Sequence, residues 1–139
     1  MLQLLKSRQG PVSPARPCEV LVADDVVEIT ELITRWLEAE GHKVTRASSG
    51  REVIVWVQKR DFDIVVTDIV MPDGDGWDAI LAVGRQRPET RVIAISGGGN
   101  LMPVEACLRV AKGVGADIVL KKPFTKADFL NAFNRLASH

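Results

Sequence analysis

Cysteine is scarce. Cys18 and Cys107 are the only thiols in 139 residues, too few and too far apart for a disulfide framework or a zinc site, and this scarcity fits a reducing, cytoplasmic compartment. They read as one tail thiol, Cys18, and one core thiol, Cys107. An excess charge is missing too. Lys plus Arg and Asp plus Glu number 18 each, so no global field draws the chain to nucleic acid or to an anionic membrane. Long apolar runs are absent. The opening Met1-Leu2-Gln3-Leu4-Leu5 is far shorter than a signal-peptide core and is interrupted by Lys6 and Arg8, and nothing else approaches a membrane span. No internal repeat is visible, and 15.2 kDa is one domain's worth of chain. His42 has no second histidine near it in sequence, which argues against a metal ligand or a phosphorylated histidine at that position.

What is present is a set of short Val- and Ile-rich runs, each closed by a polar residue: Val20-Leu21-Val22-Ala23-Asp24-Asp25, Ile64-Val65-Val66-Thr67-Asp68, Val92-Ile93-Ala94-Ile95-Ser96 and Ile118-Val119-Leu120-Lys121-Lys122-Pro123. A weaker run spans Val44 to Ala47. Such runs, separated by helical patterns, read as the buried strands of a parallel sheet. Helical spacing is carried by Ile29, Leu32, Ile33, Trp36 and Leu37 before Gly41, then by Val53, Ile54 and Val57, and then by Trp77, Ile80 and Leu81. Val104, Cys107, Leu108 and Ala111 follow Pro103 and precede Gly113 and Gly115, and Phe129, Leu130, Phe133 and Leu136 make the last pattern. Five strands alternating with five helices predict a doubly wound α/β domain with helices on both faces. Residues 1–18, with Pro11, Pro14 and Pro17, read as a flexible tail ahead of a domain over 19–139. The three tryptophans read as packing residues.

In a parallel sheet the carboxyl ends of the strands share one edge, where open α/β folds place their ligand sites. Asp24, Asp25, Asp68, Ser96 and Lys122 would meet there. Taken singly, Asp24 and Asp25 are also good helix N-caps, Ser96 an ordinary loop serine, and Asp73 and Asp75 turn residues. Together, the acidic pair, Asp68 followed by Met71-Pro72 and Asp75-Gly76, Ser96, and Lys122-Pro123-Phe124 resemble the receiver domain of response regulators, the chemotaxis-type fold, over about residues 19–137.

The resemblance implies a flavodoxin-like sheet of order 2-1-3-4-5 and a phosphoacceptor role in a two-component phosphorelay. It implies that Asp68 takes a phosphoryl group from a histidine kinase or histidine phosphotransfer protein. Mg²⁺ would be held by Asp25, Asp68 and the Val70 backbone carbonyl, with Asp24 helping directly or through water. Lys122, the Ser96 hydroxyl and the Gly97 N–H would receive the phosphoryl oxygens. The chain would then be no enzyme beyond self-catalysed transfer and slow autodephosphorylation, and its output partner would be an unidentified protein. It reads as a stand-alone receiver or as a piece of a hybrid kinase or longer regulator, with a degenerate, binding-only receiver as the alternative.

Two features depart from the family pattern. Val119 stands three residues before the motif lysine, where many receivers carry Tyr, Phe or His, so coupling to the output surface must run through backbone or helix displacement. The Gly97-Gly98-Gly99-Asn100 loop is long and cheap to reshape, and is expected to order on phosphorylation.

Overall fold

The computed structural model describes residues 16–71, 76–97 and 103–138. Its elements follow the predicted alternation: β1 (Glu19–Ala23), α1 (Val27–Ala39), β2 (Lys43–Ala47), α2 (Gly50–Lys59), β3 (Ile64–Asp68), α3 (Gly76–Gln86), β4 (Arg91–Ser96), α4 (Val104–Val114), β5 (Ile118–Lys121) and α5 (Lys126–Ala137). The five strands form one parallel sheet in the order β2-β1-β3-β4-β5. The expectations that fall on residues 1–15, on Pro72 to Asp75, on Gly98 to Met102 and on the side chains of Val104, Cys107 and Leu108 lie outside the described residues.

Strand side chains alternate between faces, and each face has its own core. Val20, Val22, Ile64, Val66, Ile93 and Ile95 pack with Ile33 and Leu37 of α1 and Phe129, Phe133 and Leu136 of α5. Leu21, Val65, Val92 and Ala94 point the other way, onto Val53 and Val57 of α2, Ile80 and Val83 of α3 and Ala111 of α4. Double-sided burial is why the central strands read as unbroken apolar runs. Phe129 and Phe133 are fully buried, and truncating either to Ala would cost about 3–5 kcal/mol.

Local chemistry sets the element ends. Ser49 caps α2 by accepting the Glu52 N–H, and Thr125 and Asp128 form a reciprocal capping box at α5. Gly41 and Gly115 sit at φ +94° and +123° just past α1 and α4, a region that favours glycine.

Several sequence expectations need correcting. Leu32 is 45% exposed, while Thr30 and Thr34 take the buried positions beside Ile33 and Leu37. Leu81 is on the exposed side of α3. Gly113 lies within α4 rather than ending it. Cys18 is not a tail thiol: it is buried in the α1/α5-side core, its N–H donates to His42 Nδ1 at 3.0 Å and its carbonyl accepts from Lys43. Burial, aided by Asp63, pushes its thiol pKa up, which keeps it inert as a nucleophile. The tryptophans are half-buried packing residues, Trp36 against Phe124 and Phe129 and Trp56 against Phe62.

Candidate phosphoacceptor site

Asp24 follows β1, Asp68 ends β3 and Lys122 follows β5, so the sheet delivers all three to its carboxyl-terminal edge. Spacing by twos puts them on one face: Asp24 continues Val20 and Val22, Asp68 continues Ile64 and Val66, and Lys122 continues Ile118 and Leu120. Lys122 Nζ lies 2.9 Å from Asp68 Oδ2 and 3.0 Å from Asp24 Oδ2. Carboxylate oxygens of Asp24, Asp25 and Asp68 lie within 4.8 Å of one another. Asp24 and Asp68 are buried, whereas Asp25 is exposed.

Main-chain N–H groups fix the other oxygens. Val26 N–H donates to Asp24 Oδ1 at 2.9 Å, and Val70 N–H donates to Asp68 Oδ1 at 3.0 Å. The N-cap alternative for the acidic pair therefore fails for α1. Its N-cap position is Val26, with no side-chain capping bond, and Asp24 instead makes a turn with the residue two ahead.

The charge balance is uneven: among the described residues Lys122 is shared by Asp24 and Asp68, and a third carboxylate, Asp25, lies beside them. Burial pushes the Asp24 carboxyl up to about 6; the Val26 N–H opposes the rise, the Asp68 charge adds to it, and Lys122 counters it. Burial works to lower the Lys122 pKa, but its bonds to Asp68 and Asp24 outweigh this and hold it above the usual lysine range. A clustered, oxygen-only donor set short of positive charge suits a hard divalent cation.

Ser96 is fully buried at the end of β4, and its carbonyl accepts the Lys122 N–H at 2.8 Å. Gly97 is exposed and lies under the lysine stem: a Cβ there would stand 3.1 Å from Lys122 Cδ. Val70 presents its N–H to Asp68 and leaves its side chain 50% exposed. The Lys122–Pro123 peptide bond is cis. Val119 is partly buried against the α2/α3/α4-side core.

Sequence reasoning missed Thr67, a direct neighbour of Asp68, and noted Gly76 only within the Asp75-Gly76 motif, without its close packing against β3. Gly76 opens α3 so close to β3 that a Cβ would fall 2.1 Å from the Asp68 carbonyl oxygen. Thr67, fully buried, donates its hydroxyl to that same oxygen at 3.0 Å. A Thr directly before the strand-ending Asp was the available signal. By contrast, a cleft of about 450 Å³ lined by Arg16, Cys18, Asp63, Arg87 and Leu136 is at the amino-terminal edge of the sheet, away from this chemistry.

Comparison with known proteins settles the family. The response regulator receiver domain model matches residues 20–134. The chain belongs to the response regulator receiver domain family. It is 32% identical over 117 residues to response regulator SaeR of Staphylococcus aureus, covering 84% of this chain and 49% of SaeR; it thus spans about half the length of the curated relatives it matches. Among solved structures, it resembles the beryllofluoride-activated NtrC4 receiver domain dimer, at 32% identity and TM-score 0.77 over 86% of this chain and 96% of that one. It also resembles chemotaxis response regulator CheY4 of Vibrio cholerae, at 28% identity and TM-score 0.77 over 86% and 98%. A CheY-like receiver from Methanospirillum hungatei shares the fold at TM-score 0.80 and 24% identity, over 88% and 94%. The chain is thus a receiver of two-component signalling. No helix among the described residues is long and apolar enough to cross a membrane.

Proposed function

We propose that this receiver accepts a phosphoryl group on Asp68 from a phosphohistidine of a histidine kinase or phosphotransfer protein, and passes the signal to a protein partner in the cytoplasm. The observation that carries the reading is Asp68 itself. Its carboxylate is held between the Val70 N–H and Lys122 Nζ, in a cluster with the carboxylates of Asp24 and Asp25.

Asp25, Asp68 and the Val70 carbonyl, with Asp24 alongside, would hold Mg²⁺, which when bound supplies positive charge that the carboxylates and a phosphoryl group in transfer lack. The chain's own residues do the rest. An Asp68 carboxylate oxygen attacks phosphorus; the P–O bond forms as the P–N bond breaks, its electron pair passing to the donor imidazole. No general base enters the step, because a carboxylate oxygen is itself the nucleophile and no proton leaves it as the bond forms. Lys122, already bonded to Asp68, shifts onto a phosphoryl oxygen, and the Ser96 hydroxyl and Gly97 N–H take others.

Readout then follows the main chain. Ser96 and Lys122 are tied by the Lys122 N–H to Ser96 carbonyl bond, so an inward pull on Ser96 also moves the start of the β5–α5 connection. Val119, packed in the core, carries no ring to swing. The reading includes no nucleic-acid or membrane contact and no turnover of small substrates beyond slow loss of the chain's own phosphoryl group.

The test is incubation with acetyl phosphate and Mg²⁺, followed by intact mass, with Asp68→Asn as control. One added phosphoryl group on wild type and none on the variant is expected. Labelling that persists in Asp68→Asn removes Asp68 from its role. A wild type that takes no label and binds no Mg²⁺ points to a binding-only module, and fast multiple turnover of a small phosphoester points to an enzyme.

A further inference from the structure

The turn after β3 contains a carbonyl that the sheet does not satisfy. Pairing between β1 and β3 runs from Val20↔Ile64 to Ala23↔Thr67 and stops there. On the other side, Ile69 N–H donates to the Ile95 carbonyl of β4. In a trans peptide the carbonyl of one residue and the N–H of the next point in opposite directions. The Asp68 carbonyl therefore faces the β1 side, just past the end of the ladder, where no strand N–H among the described residues meets it. A buried carbonyl needs a donor, and Thr67 provides it from one residue away: its hydroxyl lies 3.0 Å from the Asp68 oxygen, fully buried. The Gly76 backbone closes over the same oxygen.

This peptide plane controls the reacting carboxylate. The Asp68–Ile69 plane sets where the chain turns toward Val70, and the Val70 N–H aims Asp68 Oδ1. Apart from Thr67, strand β3 before its terminal Asp is Ile64, Val65 and Val66. Valine would fill the Thr67 position with the same shape and lack only the hydroxyl.

We infer that Thr67 is a positioning residue for phosphoryl acceptance: its hydroxyl sets the peptide plane of Asp68, and through the Val70 N–H it sets the attack direction of the carboxylate. The inference rests on Asp68 being the acceptor. It assigns a role to the residue type before the acceptor, which acts on the backbone of Asp68 and touches neither the phosphoryl group nor the donor.

The experiment compares wild type, Thr67→Val and Thr67→Ser by the rate of labelling with acetyl phosphate and Mg²⁺ and by amide hydrogen exchange at Val70. Thr67→Val should label about tenfold more slowly at saturating acetyl phosphate with its half-saturation point unchanged, because a misplaced attacking group costs rate rather than binding. Its Val70 amide should exchange faster. Thr67→Ser, which keeps the hydroxyl, should return both readouts to within about twofold of wild type, which restored packing alone would not do. If Thr67→Val does not fold, Thr67→Ala removes the same donor and is read in the same way. Wild-type labelling and Val70 exchange in a hydroxyl-less variant would overturn the inference, as would a Ser variant no better than Val. A wild type that takes no label overturns the acceptor reading instead, and Val70 exchange still decides whether Thr67 holds the turn.

Discussion

Lys122 Nζ stands 3.0 Å from Asp24 Oδ2, at the same time as it bonds to Asp68. One cation is thus divided between two buried acids, with Asp25 close by. Shared in this way, the lysine cannot fully compensate either acid, and Asp24, driven up to about 6 by burial, carries the deficit.

Removing the Asp24 charge should therefore stabilise the metal-free protein. The folded-state pKa, about 6, is above the ordinary 3.8, so the stability linked to this group is fully present below about pH 4 and is lost as pH rises through 6. Asp24→Asn escapes that loss. In urea unfolding with a chelator at neutral pH it should gain about 1–2 kcal/mol, a figure reduced from the raw shift for solvent screening. The gain should shrink toward pH 4 and reverse in excess Mg²⁺, where wild type recovers its ligand. An Asn variant less stable than wild type without metal would contradict the charge-deficit account.

Gly76 should tolerate no side chain. A Cβ at 2.1 Å from the Asp68 carbonyl oxygen, and 2.6 Å from Ile69 Cα, runs into the backbone at the end of β3 rather than into a flexible side chain, so relief requires α3 to move away from β3. Gly76→Ala should cost about 3 kcal/mol or more in thermal or urea unfolding. It should also slow labelling of Asp68. Gly84→Ala, with nothing near the added Cβ, is the control and should be neutral or slightly stabilising in its helix.

Why the backbone roles of Thr67 and Gly76 escaped sequence reading, when the strands and acids did not, has a physical reason. Double-sided burial writes Val20 to Ala23, Ile64 to Val66 and Val92 to Ile95 as unbroken apolar runs, and their polar ends stand out against them. Leu32 misled because apolar spacing alone placed it on the core face of α1, whereas Thr30 and Thr34 take that face; a threonine methyl packs well enough to stand in for an apolar residue. The Cys18 amide finds its acceptor in His42, 24 residues ahead, a pairing that only the parallel register of β1 and β2 creates. Thr67 and Gly76 both meet the Asp68 main-chain carbonyl, and although the residues themselves are visible before the acceptor and in the Asp75-Gly76 motif, residue type alone does not say which backbone atom a side chain or a missing Cβ serves.

Val70 should set the lifetime of the phosphorylated state. Its side chain is half exposed beside Asp68 and has no polar atom with which to orient an attacking water. Val70→Glu or Val70→Asn should shorten the phosphoryl lifetime several-fold, with little change in unfolding stability because the site is open to solvent. Loss of label after removal of acetyl phosphate, followed by intact mass, measures it. Equal lifetimes in all three proteins would separate this position from dephosphorylation.

His42 should make stability fall on acidification. Its Nδ1 accepts the Cys18 N–H, which requires a neutral ring with its proton on Nε2. The ring is buried and rests 4.8 Å from Phe133. Burial lowers its pKa below 6.5, while Glu40 and Asp63 partly oppose this. With the folded pKa depressed, the contribution is fully present above pH 6.5 and is lost as pH falls through the folded value. Each unit of separation is worth about 1.4 kcal/mol. Protonation turns Nδ1 from acceptor to donor against the Cys18 N–H, so the start of β1 and the Phe133 face of α5 should loosen together. His42→Asn offers a carbonyl acceptor that does not titrate. It should be less stable than wild type at about pH 7.5, having lost the ring contact, yet should show a shallower slope between about pH 7 and pH 5. NMR titration of the His42 ring with urea unfolding across that window checks both halves. A ring that titrates at or above 6.5, or a variant with the wild-type slope, would show that the acid sensitivity arises elsewhere.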